Sequence, residues 1–194
     1  LFVVLEKHGF LKSTDIESYG TFTGILGGHP DRTKVPGAEA STGSLGHGIS
    51  FAAGLALGMK VKKQSNKVIT LVGDGECHEG TVWETALVAQ RQELTNFCVV
   101  VDLNGSAAQI LPHPNMANQW EAFGWEVMVI EGHDREQIEA AFSHFYSGKN
   151  KKPMAIIAKN VKGKGVSFLE THGPWHHKIP NATEYAAIVA ELSR

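Results

Sequence analysis

The residues best suited to chemistry are the run Gly73-Asp74-Gly75-Glu76-Cys77-His78-Glu79-Gly80 and Asn104, thirty positions after Asp74. An apolar stretch, Val68–Val72, leads into the run, and another, Phe97–Val101, leads through Asp102 and Leu103 to Asn104. A carboxylate at the end of one strand and an amide oxygen at the end of the next offer two oxygen ligands to one hard cation. Mg²⁺ suits that pair, since it keeps coordination sites for water and for phosphate oxygens. Ca²⁺ and Mn²⁺ are the natural substitutes. Gly73 and Gly75 on either side of Asp74 let backbone approach a phosphate closely.

Alternating elements position these residues. Strands are expected at Val68–Val72, Phe97–Leu103, Trp125–Ile130 and Met154–Lys159, with helices over Glu79–Gln92, about Asn115–Phe123, and Asp134–Tyr146. A last helix begins near Asn181. Asp134 with Gln137, and Asn181 with Glu184, each put a capping acceptor three residues before a Glu or Gln. Strands alternating with helices imply right-handed crossovers, hence an α/β fold: a doubly wound parallel sheet with helices on both faces. The strands read as continuous apolar runs, as a sheet covered on both faces requires. Ligands of such sheets lie beyond the carboxyl ends of the strands. Asp74, Asn104 and Gly163-Lys164-Gly165 all fall there. A further helix is expected from Ser44 to Lys62, with Ser44 as a good cap. Its many small residues (Gly46, Gly48, Gly54 and Gly58 among them) suggest close packing on another helix or subunit, or else a loosely packed core helix.

Composition narrows the class. The 194 residues fit one domain over 1–194, and 42% hydrophobic with 20% charged content is ordinary for a soluble globular protein. A net charge of −2 gives no reason to expect nucleic acid or an anionic membrane as partner. No apolar run approaches a membrane span. Two cysteines, Cys77 and Cys98, make no disulfide framework and are compatible with the cytoplasm. The chain opens on Leu1 inside an apolar stretch and reads as a piece of a longer one, with its N-terminal part incomplete.

Four stretches together resemble the amino-terminal, diphosphate-binding half of transketolase, especially the kind encoded as two subunits. They are Gly28-His29-Pro30-Asp31, Val35–Gly48, Gly73–Glu84 and Val161–Phe168, in order and over nearly the whole chain. The resemblance implies a PP-type thiamine-diphosphate-binding fold and two-carbon ketol transfer from a ketose to an aldose, with thiamine diphosphate and Mg²⁺ as cofactors. It assigns Asp74, Asn104 and the Ser106 backbone carbonyl to the metal. It places Gly73, Gly75 and Glu76 at the cofactor, with Gly43, Ser44 and Leu45 against its rings. His47 stands where the family more often has Gln, a change expected to modulate and not abolish binding.

His29 matches the family's active-site histidine, and an imidazole suits proton exchange with a sugar hydroxyl near neutrality. A second histidine of the site is His172 or His176; the former follows Thr171 as in single-chain relatives, while Trp175-His176 matches the split ones. Gly173 and Pro174 keep these two off a shared helix face, against a metal-site reading. Glu79 is expected at the subunit interface of a dimer, and Glu84 either there or compensating the helix dipole. Only Gly-Ser-Ala-Ala-Gln separates Asn104 from Ile110, shorter than the family's loop over the diphosphate.

No pyrimidine-binding domain is recognisable in these residues. The resemblance therefore implies a pyrimidine-binding partner subunit, self-association into a dimer, and sugar substrates. Deoxyxylulose-phosphate synthase and 2-oxo acid dehydrogenase subunits share the Asp…Asn pattern, though Pro36–Gly48, Trp83-Glu84 and Lys162–Phe168 favour transketolase. A degenerate, non-catalytic interface subunit is the other alternative.

Overall fold

The computed structural model describes residues 1–112, 115–170 and 174–193. The chain divides into two compact units, Leu1–Gly48 and Ile49–Arg194. The first unit holds two short helices, α1 (Phe2–Lys7) and α2 (Ser13–Glu17), followed by turns. Leu5, Leu11, Leu26 and Val35 form its small core.

The second unit is built on four parallel strands: β1 (Val68–Gly73), β2 (Phe97–Leu103), β3 (Glu126–Glu131) and β4 (Met154–Lys159). They lie in the order β1-β2-β4-β3. Gly73 pairs with Asp102, and Lys159 pairs with both Leu103 and Glu131, so the carboxyl ends of the strands finish at one edge.

Side chains alternate across a strand, and here the two sets enter different cores. Val99, Val101, Ala155 and Ile157 pack with residues of α3 (Gly48–Val61), α4 (Gly80–Arg91) and α5 (Met116–Ala122). Cys98, Met154, Ile156 and Ala158 pack instead with Ala141 and Phe145 of α6 (Arg135–Tyr146). Helices thus lie on both faces, as the apolar runs require. At β1 the second face stays open: Ile69 is 38% and Leu71 70% exposed. The last element is α7 (Ala182–Leu192), opened by the reciprocal Asn181–Glu184 capping box. Among the described residues no helix is long and apolar enough to cross a membrane.

Some expected boundaries move. The helix expected from Ser44 begins at Gly48, because Gly46 takes φ +79° and Ser44–His47 forms a turn, with His47 N–H bonded to Ser44 O at 3.2 Å. Within this chain its helical glycines do not mediate close packing on another helix. A Cβ added at Gly48, Gly54 or Gly58 would meet nothing within 4 Å, whereas Ala52, Ala53 and Ala56 fill the core. The helix expected from Glu79 starts at Gly80, after a 3-10 turn over Glu76–His78 that leaves Glu79 extended. Trp125 lies one residue before β3. Its indole Nε1 donates to Ala86 O at 3.0 Å, anchoring it to α4.

Candidate functional site

At the carboxyl edge of the sheet, the ladder between β1 and β2 extends one residue further: Asp74 N–H donates to Asp102 O at 3.1 Å. The turn that follows bends Asp74 into the protein, where it is only 4% exposed. Its Oδ1 accepts the Gly75 N–H and its Oδ2 the Gly105 N–H, both at 2.8 Å. Gly105 reaches this geometry at φ +77°, in the left-handed region that favours glycine. Glu76 closes the turn on its other side, its Oε2 accepting the Gly73 N–H at 3.3 Å.

Asn104 stands next to Gly105. Its Oδ1 accepts the Ser106 N–H at 3.0 Å, and its Nδ2 donates to Asp102 Oδ2 at 2.8 Å. The other oxygen of Asp102 accepts from Asn160 Nδ2 at 2.5 Å. Asn160 follows β4 directly and donates its backbone N–H to Leu103 O at 3.0 Å. Beyond it lies Gly132, just after β3, where an added Cβ would sit 1.8 Å from Asn160 Oδ1. Residues at all four strand ends therefore meet in one row. Asp102, Asn160 and Gly132 are members that the sequence motifs do not mark. The available signal is a carboxylate within the otherwise apolar run Phe97–Leu103 and an amide directly after β4.

The donor set is made of hard oxygens. Asp74 Oδ1 and Oδ2 and Asn104 Oδ1 each accept a backbone N–H, and carboxylate and carboxamide oxygens have more than one acceptor position. Among the described residues no group of three His, Cys, Asp or Glu could hold a metal ion. A cation here would rest on the Asp74 and Asn104 oxygens completed by main-chain and phosphate oxygens, which fits Mg²⁺ and not a thiolate- or imidazole-bound metal. Ser106 opens the short 3-10 turn Ala107–Gln109 immediately after Asn104 and Gly105. An added Cβ at Gly73 would meet nothing within 4 Å, so open space borders the turn.

Cys77 lies beneath this loop. Burial, with the Glu76 and Asp74 charges adding to it, pushes its thiol from 9.0 up to about 12. Its carbonyl accepts Trp83 Nε1 at 2.8 Å, tying the loop to α4. Glu79 and Glu84 are both exposed.

In the first unit, His29 and Gly43 come together. Thr42 N–H donates to Pro30 O at 3.3 Å, and a Cβ at Gly43, which has φ +140°, would lie 3.1 Å from His29 Cδ2. Asp31 secures the loop after Pro30. Hydrogen bonds from the Thr33 hydroxyl and N–H, then the Lys34 charge, hold its carboxyl below the usual range. Ser44, Leu45 and His47 share the turn before α3. His47 Nδ1 lies 3.0 Å from Leu45 O, a carbonyl that can only accept, so Nδ1 is the donor in that contact. Leu45 is 56% exposed.

His172 lies outside the described residues. His176 is exposed and accepts from Lys162 Nζ at 3.0 Å, which ties it to the segment carrying Gly163 and Gly165.

The family model described as "Transketolase, thiamine diphosphate binding domain" matches residues 1–189. The chain belongs to this family. An apulose-4-phosphate transketolase subunit from Phocaeicola vulgatus is 38% identical to it, covering 100% of this chain and 70% of the relative. The SqwG subunit of 6-deoxy-6-sulfo-D-fructose transketolase from a Clostridium species is 32% identical, covering 100% of this chain and 72% of the relative. Among solved structures, transketolase from Campylobacter jejuni superimposes with a TM-score of 0.83 at 28% identity, over 93% of this chain. The chain spans 30% of that transketolase.

Proposed function

We propose that this chain belongs to the diphosphate-binding subunit of a two-subunit transketolase, with residues 1–194 lying in its thiamine-diphosphate-binding domain, and that it works in the cytoplasm. It transfers a two-carbon ketol unit from a ketose phosphate to an aldose, using thiamine diphosphate and Mg²⁺. The observation that carries this reading is the buried Asp74 carboxylate, bonded to Gly105 beside Asn104 at the edge where parallel sheets bind ligands. Transketolase-family membership over residues 1–189 supports it against the other thiamine-diphosphate enzymes.

Bound thiamine diphosphate would supply the carbon nucleophile and the electron sink that break and form the carbon–carbon bond. The chain's residues bind, orient and move protons. Asp74 and Asn104 hold the metal by their oxygens, with the Ser106 carbonyl as the main-chain ligand. Gly73 and Gly75 keep side chains away from the diphosphate, and Glu76 braces their turn. Gly43, Ser44, Leu45 and His47 contact the cofactor rings. His29 exchanges a proton with a hydroxyl of the donor sugar, as an imidazole is suited to do. His172 and His176 are candidates for the same task elsewhere on the sugar. Glu79 and Glu84 serve the interface between copies.

Relatives named as transketolase subunits support a partner, here a pyrimidine-binding subunit in a two-plus-two assembly. The test is turnover of a donor and an acceptor sugar with Mg²⁺ and thiamine diphosphate, by the full chain with and without that partner. Activity only in the mixture is expected. Turnover by the chain alone would reject partner dependence, and a mixture that neither turns over nor binds cofactor would favour a degenerate interface subunit.

A further inference from the structure

Asp102 has no assigned task, yet its side chain joins the ends of β2 and β4. It sits in β2 opposite Gly73 and Ala158, and its two carboxylate oxygens face two carboxamides. Oδ2 accepts from Asn104 Nδ2 at 2.8 Å, and Oδ1 accepts from Asn160 Nδ2 at 2.5 Å. An ionised carboxylate has acceptors only, whereas a carboxamide has a donor end and an acceptor end. Asp102 therefore decides which way each amide points. Asn104 must turn its NH₂ toward Asp102, leaving its oxygen on the opposite side, where it accepts the Ser106 N–H at 3.0 Å. Without Asp102 only the Ser106 N–H holds the amide this way round, and an NH₂ in place of the oxygen would repel a cation.

The clamp is itself braced. Asn160 is held by its backbone N–H on Leu103 O at 3.0 Å, and its Oδ1 lies where only the missing side chain of Gly132 leaves room.

We propose that Asp102 is a positioning residue of the cation site: it fixes the Asn104 carboxamide with its oxygen toward the metal, with Asn160 as its brace. The inference rests on the function proposed above. Outer contacts of this kind are worth about 10- to 100-fold in metal affinity.

The test is Mn²⁺ affinity, by electron paramagnetic resonance with thiamine diphosphate present, of the full chain assembled with its partner subunit. Asp102→Ala is expected to lose about 10- to 100-fold. The double exchange Asp102→Asn with Asn160→Asp is expected to recover affinity to within about threefold. The carboxylate moved to position 160 would accept only, drawing the NH₂ of the amide moved to position 102 and turning that amide's oxygen to Asn104. A folded Asp102→Ala chain with wild-type affinity would overturn the proposal. So would a folded double variant as weak as the single one, because Asp102 would then act by its own charge. Should Asp102→Ala fail to fold, the double variant and the wild-type amide still decide. One Asn104 Nδ2 proton is expected to exchange slowly with water by NMR, and free exchange of both would count against the clamp. A wild-type assembly that binds neither Mn²⁺ nor cofactor would strike the proposed function itself, a result distinct from affinity that ignores Asp102.

Discussion

Asp74 Oδ2 accepts the Gly105 N–H at 2.8 Å, a bond that ties the turn after β1 to the turn after β2. One carboxylate thereby organises two loops and, in the proposed function, also holds the cation. Asp74→Ala removes both functions. Hydrogen bonds to a charged group are worth about 1.5–3 kcal/mol each, and Asp74 accepts those of Gly75 and Gly105 among its contacts. The expected outcome is loss of Mg²⁺-dependent thiamine diphosphate binding by more than about 100-fold, with far-ultraviolet circular dichroism unchanged. Unchanged affinity by calorimetry would remove Asp74 from the site.

Gly105 makes that bond at φ +77°. An L-residue in this region costs about 1–2 kcal/mol. Gly105→Ala is expected to lower the melting temperature and to weaken cofactor binding by about tenfold, the equivalent of about 1.4 kcal/mol. A variant of wild-type stability and affinity would show that the left-handed turn is dispensable.

Gly43 lies against the His29 ring: a Cβ there would sit 3.1 Å from Cδ2, on a backbone with φ +140°. Gly43→Ala strains the backbone and pushes the imidazole. Small displacements of a catalytic group cost about 10²-fold. A fall in kcat/KM of about 10- to 100-fold is expected, approaching that of His29→Ala. Equal kcat/KM in Gly43→Ala and wild type would exclude His29 from proton exchange at its present position.

Burial pushes the Cys77 and Cys98 thiols from 9.0 up to about 12. A folded pKa raised above the unfolded one contributes stability that is complete below the unfolded value and is lost as pH rises through the folded one. Denaturant midpoints are therefore expected to hold below about pH 9 and to fall between 9 and 12. The double variant Cys77→Ala with Cys98→Ala should flatten that part of the profile. Below about pH 9 a thiol reagent is expected to label neither cysteine until the chain unfolds, and rapid native labelling would contradict their burial.

The strands are legible in the sequence because their chemistry is local and two-sided. β2 and β4 coincide with the runs Phe97–Leu103 and Met154–Lys159, whose alternate residues fill the two cores. Asp74 and Asn104 can be picked out because each directly follows such a run. The start of α3 is not legible, since Ser44 fits a cap in sequence while the positive φ of Gly46 is a property of the turn. The clamp of Asp102 escapes for a different reason. It joins residues 58 positions apart, and only the strand order β1-β2-β4-β3 makes them neighbours. Asn150 gives the same lesson: it lies in the polar stretch Gly148–Lys152, yet it is 3% exposed and donates to Thr95 O at 2.8 Å.

The most direct test is calorimetric titration of thiamine diphosphate into the full chain, assembled with a pyrimidine-binding subunit, with Mg²⁺ and with chelator. Binding that appears with Mg²⁺, vanishes with chelator and is lost in both Asp74→Ala and Asn104→Ala is the expected result. Tight binding that is indifferent to the metal, or that survives both substitutions in folded protein, would contradict a cation held between these two strand ends.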